Sequence, residues 1–495
     1  MSGMQEGKSG ESPALSRNGN GEQDPPKSEY LPQLLLVVNL RVTRKASVMR
    51  AMTHGQPPPS GRAGPTPYTT STADDAAPLP RPIQPKGEKS LMQYFTHWLT
   101  VLALLVMVVP AAAQQAPIAE GNPQECVTDY DPDTDYFPAK AQVTQAEGFS
   151  IAYFDNYKVI DVTLPWSGAT EADSFQYVLV QCGTPAPDGY EDAQMIEVPT
   201  GDLIAMSTTY LPQLVELELT ENLIGLDSFL YTNTPEIVAL AEDGEVIEVG
   251  SGGSVNVEMV LAAEPDMVMT YGSGIPDYDA HPALLDAGIF VAINGDFAEP
   301  SLLGRAEWMK FLAAFYNEER AAEAAYADIL AEYEAVRELA ADIPAEERLT
   351  VLYNAPYQGT WFVPGQATWA GELLTDAGVD YVLMDDAQTD SVPLDFEAVY
   401  AAGLDAPVWI PNLFAVDTIQ DLVAQDERYA DFAAVQQGGV WNTNGRVNAN
   451  GGNDFYETGV TNPHLVLRDL VAIFYPDVLP EHDPMFFLQL PDETE

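Results

Sequence analysis

The sequence predicts an α/β protein: two α/β lobes with mainly parallel sheets, joined by one long α-helix and preceded by a β-rich N-terminal addition. Three observations carry this expectation. Residues 317–341, NEERAAEAAYADILAEYEAVRELAA, place Ala322, Ala325, Ile329, Tyr333, Val336 and Ala340 at three- and four-residue spacing, with neither Gly nor Pro before Pro344. Asn317 is the expected N-cap, and Glu318 and Glu319 put negative charge where the helix dipole favours it. Such a helix spans about 36 Å, the width of a small domain. On both sides of it, short apolar runs alternate with helical patterns, the signature of parallel sheets covered by helices. Finally, residues 149–154, 158–164 and 175–181 are strand-like, with turns at Asp155-Asn156 and Ser167-Gly168.

Taken in order, residues 1–90 are rich in Gly, Pro, Ser and polar residues and are expected to be a disordered extension. An over-long start, with Met49, Met52 or Met92 as the true beginning, is an alternative for this stretch. Residues 91–113 are assigned as a signal peptide. Lys86 and Lys89 supply the basic region, 98–109 the apolar core, and Ala111-Ala112-Ala113 a cleavage site before Gln114. Twelve apolar residues are too few to span about 30 Å of hydrocarbon, so export with cleavage, to the periplasm or the outside, is expected. The remainder divides into a β-rich segment (114–200), an N-terminal α/β lobe (201–300), a short helix and the long connecting helix (301–343), and a C-terminal α/β lobe (344–495).

Charge excludes some functions. The 495 residues hold 75 acidic against 21 basic side chains, a net charge of −54. Such a surface repels phosphate backbones and anionic lipid, which argues against nucleic-acid binding. The acids are scattered and form no D-x-D-x-D-G loop, so a solvated shell of the kind suited to salty water is favoured over a calcium store. Cys126 and Cys182 are the only cysteines, and in an oxidising compartment one disulfide between them is the simplest outcome. After cleavage only His281, His464 and His482 remain, all in turn-like sequence, so no histidine metal site is expected.

In open parallel sheets a ligand lies beyond the carboxyl ends of the strands. On the first lobe this selects 207–210, 271–274 and 294–297. On the second it selects Asn354, Trp361, Asn412, Phe414 and Trp441. Two such rims facing each other make a cleft, which Tyr210, Tyr271, Trp361 and Trp441 would wall with aromatic rings. The loop 441–454, WNTNGRVNANGGND, adds many hydrogen-bonding groups on flexible backbone. Its Arg446 is the natural partner for a carboxylate or phosphate. Arg305 is expected to be structural.

The run VNVEMVLAAEPDMV at 255–268 resembles the N-x-E-x-(apolar)-x-x-(apolar)-x-P-D stretch of one family. This family comprises the periplasmic solute-binding proteins of ABC importers with a single long helix between lobes. Gly225 and the helix before it also fit that family's first βα unit, and the resemblance covers roughly residues 200–490. It implies a soluble, monomeric, non-enzymatic protein that captures a ferric siderophore, haem or corrinoid and delivers it to an ABC permease of the inner membrane. No resident cofactor is implied; the ligand itself would carry iron or cobalt. Tyr210, Tyr271, Trp361, Asn412, Trp441 and Arg446 become the candidate ligand contacts. By position in the motif, Glu258 would dock onto the permease, and PLDFEAV at 393–399 makes Glu397 its counterpart on the second lobe. The alternative from the residues alone is a secreted hydrolase with paired carboxylates in the cleft. No nucleophile elbow, P-loop or H-E-x-x-H supports it.

Overall fold

The computed structural model describes residues 121–383 and 391–493. The extension assigned to 1–90 and the signal peptide assigned to 91–113 lie outside the described residues. Runs rich in Val, Ile, Tyr and Phe build the first sheet. Its strands are β1 (Phe149–Tyr153), β2 (Tyr157–Val162), β3 (Phe175–Gln181) and β4 (Gln194–Val198), in that order, antiparallel except for the parallel β3–β4 pair. Directly after β3, Cys182 is disulfide-bonded to Cys126, with Cα atoms 4.7 Å apart.

The first lobe follows. Its strands are β5 (Leu203–Ala205), β6 (Leu223–Leu226), β7 (Ile247–Glu248), β8 (Met267–Thr270) and β9 (Val291–Ile293). They pair in the order β7-β6-β5-β8-β9, and every pair is parallel. All residues of β5, β8 and β9 are buried, as a parallel sheet covered on both faces requires. The helices between them are α1 (Leu211–Glu216), α2 (Pro235–Asp243), α3 (Val257–Ala263) and α4 (His281–Asp286). The chain steps outward from β5 to β6 and β7, then returns to the other side as β8. That places the topological switch between β5 and β8.

Where one helix is expected over 305–315, two are found, α5 (Leu302–Glu307) and α6 (Met309–Phe315). They meet at Trp308, whose N–H bonds back three residues to the Arg305 carbonyl at 3.2 Å. The connecting helix α7 runs from Glu319 to Ala341 (Glu319–Ala341) and buries Glu319, Ala322, Tyr326, Ile329, Tyr333, Val336 and Ala340. Tyr326, not Ala325, completes the stripe. Ala322, Tyr326 and Ile329 belong to the first-lobe core, and Tyr333, Val336 and Ala340 to the second.

Asn317 does not cap this helix. Its φ is 58°, and its side chain accepts from Lys158 Nζ at 2.8 Å while donating to Pro123 O and Gln181 Oε1. A buried polar knot claims it instead. Lys158 and Glu319, both fully buried, pair at 2.6 Å, and Asn122 donates to the same Glu319 carboxylate. Nearby, Glu307 accepts from the N–H groups of Thr144, Gln145 and Ala146 and from Lys310 Nζ. Glu299 likewise accepts from Glu147 N, Gly148 N and Trp308 Nε1. Buried acids on the seam helices and the loop before them therefore fasten the N-terminal addition to the first lobe.

The second lobe comprises β10 (Thr350–Tyr353), β11 (Trp361–Val363), β12 (Asp380–Tyr381), β13 (Val392–Leu394), β14 (Val408–Ile410), β15 (Trp441–Asn442) and β16 (Leu488–Gln489). The strands β12-β10-β14 form a parallel sheet, and Val440 adds a parallel bridge beside Trp409. β11–β13 and β15–β16 are antiparallel ribbons. The helices are α8 (Trp369–Asp376), α9 (Phe396–Gly403), α10 (Ile419–Gln425), α11 (Ala433–Gln437), α12 (Thr458–Thr461) and α13 (Pro463–Phe474), the last lying along α7.

Removing one partner of a buried ion pair leaves a bare charge in the interior, costing about 3–5 kcal/mol. Glu319→Ala is therefore expected to lower the thermal midpoint sharply. Replacing both partners, Lys158→Met with Glu319→Leu, is expected to restore most of the loss in the same melting experiment.

Candidate functional site

The carboxyl edges of the two central sheets supply one rim each. On the first lobe the rim is Tyr210 after β5, Asp227 after β6, Tyr271 after β8, and Asp296 with Phe297 after β9. On the second it is Asn354 after β10, Asn412 to Phe414 after β14, and the loop from β15 to Tyr456. Asn354 and Asn412 both have φ in the left-handed region, 64° and 51°, which asparagine tolerates better than most residues. The Asn412 amide donates to Asn354 Oδ1 at 2.9 Å, and Asn354 donates to Phe362 O.

Arg305, on α5, joins the rims. Its guanidinium donates to Phe297 O at 2.8 Å and lies 5.1 Å from the Trp369 ring. It interacts electrostatically with Asp296 of its own lobe and with Tyr353 and Tyr456 of the other, while burial pulls its pKa down. The rims are also stitched at their edge. Asn448 donates to the carbonyls of Leu230 and Thr232, and Glu457 accepts from the N–H groups of Asn233 and Thr234. Thr461 on α12 reaches Thr209 O at 3.5 Å.

The sequence-derived residues meet different fates. Tyr210 is fully buried on the first rim, and its hydroxyl has no hydrogen-bond partner. Tyr271 is half-buried and meets Phe297 edge-on at 6.3 Å. Asn412 is on the second rim with Oδ1 unpartnered. Trp441 is half-buried in β15, packed against the second-lobe core. Arg446 is exposed, and its charge is directed to the buried Asp454 carboxylate at 3.1 Å within its own loop. Trp361 is a correction: it is fully buried, its Nε1 donates to Tyr353 O, and its ring packs near Trp409 and Phe396. From within the second-lobe core it holds the carbonyl just before Asn354, so it supports the rim rather than facing a ligand.

Asp227, Arg305, Trp369 and Tyr456 were not singled out from sequence as ligand contacts. Asp227 could have been found, because it directly follows the buried run Leu223–Leu226. Arg305 and Tyr456 sit on helical turns, where strand-end reasoning has no purchase.

Burial pushes the Asp227 carboxyl up to about 7, aided by the nearby Glu248 charge and opposed by the Ser228 N–H. Asp296 is pushed up to about 6, also by burial, against the pull of the Thr209 hydroxyl and the Arg305 charge. Burial raises both tyrosines, Tyr210 and Tyr271, as well. Among the described residues, no group of three or more His, Cys, Asp or Glu is placed to hold a metal ion.

The N-terminal addition reaches this rim. The Trp166 ring lies against Gly272 and Gly274 and stacks on His281 at 6.0 Å. A Cβ at either glycine would fall within 2.6–2.7 Å of that ring, and Gly274 has φ of 74°. Leu164 O similarly occupies the space beside Gly295. The turn after β2 thus fixes the loops that carry Tyr271 and Asp296.

Glu258 and Glu397 occupy equivalent places. Each is exposed and lies two residues past an Asx cap: Asn256 accepts from Met259 N, and Asp395 accepts from Ala398 N. Glu397 also contacts Arg428 at 3.4 Å.

Two α/β lobes sharing one helix, with facing rims rich in aromatic and polar groups, define a bilobal binding protein. Residues 203–446, just under half of the chain, match the model of the periplasmic binding protein family, a match that supports a solute-binding role. Among relatives, an uncharacterised lipoprotein of Methanocaldococcus jannaschii is 24% identical over 369 residues, 70% of this chain and 84% of that protein. A second lipoprotein of the same organism is 21% identical over 319 residues, 63% of this chain and 78% of that protein. Among solved structures, the periplasmic haem-binding protein RhuT of Roseiflexus is 21% identical, with a TM-score of 0.42 over 56% of this chain and 99% of that one. The periplasmic vitamin B12-binding protein BtuF of Vibrio cholerae is 13% identical, with a TM-score of 0.38 over 57% and 99%.

The raised Asp227 carboxyl makes a stability prediction. A carboxyl whose folded pKa lies above its unfolded value of about 4 contributes most favourably below that value and loses the contribution as pH rises through about 7. Asp227→Asn removes the buried charge. Its stability relative to the parent is expected to be near zero at pH 4 and to rise by on the order of 4 kcal/mol by pH 8. Thermal melts at the two pH values check this.

Proposed function

We propose that this protein captures a ferric siderophore, haem or corrinoid cargo between its lobes and hands it to an ABC permease. The observation that carries the reading is the pair of sheet-edge rims held face to face by a helix common to both cores. The role is one of binding, without turnover, and no resident cofactor is needed because iron or cobalt travels with the cargo. Tyr210, Tyr271 and Asn412 are the proposed contacts from the two rims, with Trp441 and Arg446 on the loop beside them. Because α7 is packed into both lobes, the lobes are proposed to close through a small angle.

Export through cleavage after residue 113 and a monomeric state belong to the same reading. The two relatives from M. jannaschii are named lipoproteins. Here both cysteines are joined in a disulfide, and neither stands at the cleavage site, so a free exported chain is proposed.

Glu258 and Glu397 are the proposed docking pair. Exposed ion pairs add little affinity singly but set orientation and encounter rate. The double variant Glu258→Arg/Glu397→Arg is expected to bind cargo as before, by tryptophan-fluorescence titration. Its half-maximal concentration for stimulating ATP hydrolysis by the cognate permease in liposomes is expected to rise about tenfold. Cargo recovered unchanged from the complex supports the binding role; chemically altered cargo would refute it.

A further inference from the structure

The segments that follow four adjacent strands of the first lobe each carry an oxygen-bearing side chain. In sheet order β6-β5-β8-β9 these are Asp227, Tyr210, Tyr271 and Asp296. With strands about 4.8 Å apart, the sheet edge beneath them is about 14 Å wide, the dimension of a compact chelate or macrocycle. Tyr210 and Tyr271 flank the topological switch, where a ligand enters an open α/β sheet. The Tyr210 hydroxyl is within electrostatic reach of the other three.

Parts of the row have nothing to bond to. Tyr210 Oη and Asp296 Oδ2 are both buried and have no hydrogen-bond partner. Across the cleft, Asn412 Oδ1 is buried and unpartnered too. A buried group left without a partner costs about 1–3 kcal/mol, so each such atom in a native site calls for an explanation. All three atoms accept hydrogen bonds, and besides the tyrosine hydroxyl only a protonated Asp296 can also donate. The arginines named at the rims already face acids: Arg305 interacts with Asp296 and Glu299, and Arg446 with Asp454. Arg305 also donates to Phe297 O and Glu299 O. The chain's net charge of −54 works in the same direction, since it disfavours approach of an anion.

We propose that this row, with Asn412 opposite, selects a cargo whose buried face presents hydrogen-bond donors and carries no net negative charge. Amide N–H, ammonium or hydroxyl groups suit it; a carboxylate-bearing or polyanionic face does not. The proposal rests on the solute-binding reading of the cleft and narrows it. A cargo bearing donors satisfies Tyr210, Asp296 and Asn412 at once. A carboxylate would meet the Asp296 and Asp227 oxygens, where the Arg305 charge is already shared with Asp296 and Glu299.

Titration of the purified protein tests this, using tryptophan fluorescence and calorimetry. The donor-bearing probes are dicyanocobinamide, with its peripheral amides, and the ferric complex of desferrioxamine B, with its pendant ammonium. The carboxylate-bearing probes are haemin and ferric citrate. A donor-bearing probe is expected to bind at least tenfold more tightly than either carboxylate-bearing one. Tyr210→Phe is expected to weaken that binding about tenfold while leaving the thermal midpoint unchanged or higher, because the lost hydroxyl has no partner within the protein. Asp296→Asn is expected to weaken it at least as much for the ammonium probe. Carboxylate probes binding as well or better would overturn the inference and leave the solute-binding reading standing. Tyr210→Phe with unchanged affinity, or with affinity and thermal midpoint falling together, would overturn it likewise. No binding by any probe would remove both readings.

Discussion

One helix belongs to two hydrophobic cores, and the rest of the molecule depends on that sharing. Ala322, Tyr326 and Ile329 are buried in the first lobe, and Tyr333, Val336 and Ala340 in the second, along a single unbroken run of turns. A flexible linker would let two lobes choose their separation. A helix packed at both ends does not, because turning either lobe about it means unpacking side chains buried in that lobe's core. Leu330, between the two sets, packs against both cores. The distance between the rims is therefore set by chain geometry before any ligand arrives.

The N-terminal addition extends this rigidity to the cleft. It is held by carboxylates buried beneath it: Glu299 and Glu307 each satisfy a series of backbone N–H groups, and Glu319 answers Lys158. Burial alone would raise Glu307, yet its pKa lies below the usual value, because N–H donors and Lys310 outweigh the loss of solvent. From that anchored sheet, Trp166 and Leu164 press onto the loops carrying Tyr271 and Asp296. Glycine at 272, 274 and 295 lets the approach happen. The addition is thereby part of the first rim's mechanical support.

Much of this architecture was legible in the sequence, and its limits have physical causes. Apolar periodicity disclosed the connecting helix, since 3.6-residue spacing survives any tertiary context. Strand ends pointed to Tyr210, Tyr271 and Asn412 because parallel sheets expose only those edges. The failures came where a side chain answers to a distant partner. Asn317 looks like a cap, but Lys158, far away in sequence, recruits it. Trp361 looks like a cleft aromatic, but its strand pairs with β13 and turns it inward. Arg305 carries no local mark, because what distinguishes it is burial among groups brought together only by folding.

That last distinction bears on how the cleft is maintained. Asp227 and Asp296 lie in surroundings that disfavour their charge, and Tyr210 Oη lacks any partner. None of these choices helps the fold, and each opposes it by an amount comparable to losing a core methyl or two. These groups lie next to the core of the first lobe. The Phe149, Trp308, Phe311 and Phe315 rings pack together in the first-lobe core. Unmade hydrogen bonds at the rim and a packed core behind it are two sides of one arrangement. A site that must receive a guest has to leave some of its own hydrogen bonds unmade, and only a stiff neighbourhood keeps the fold from making them itself.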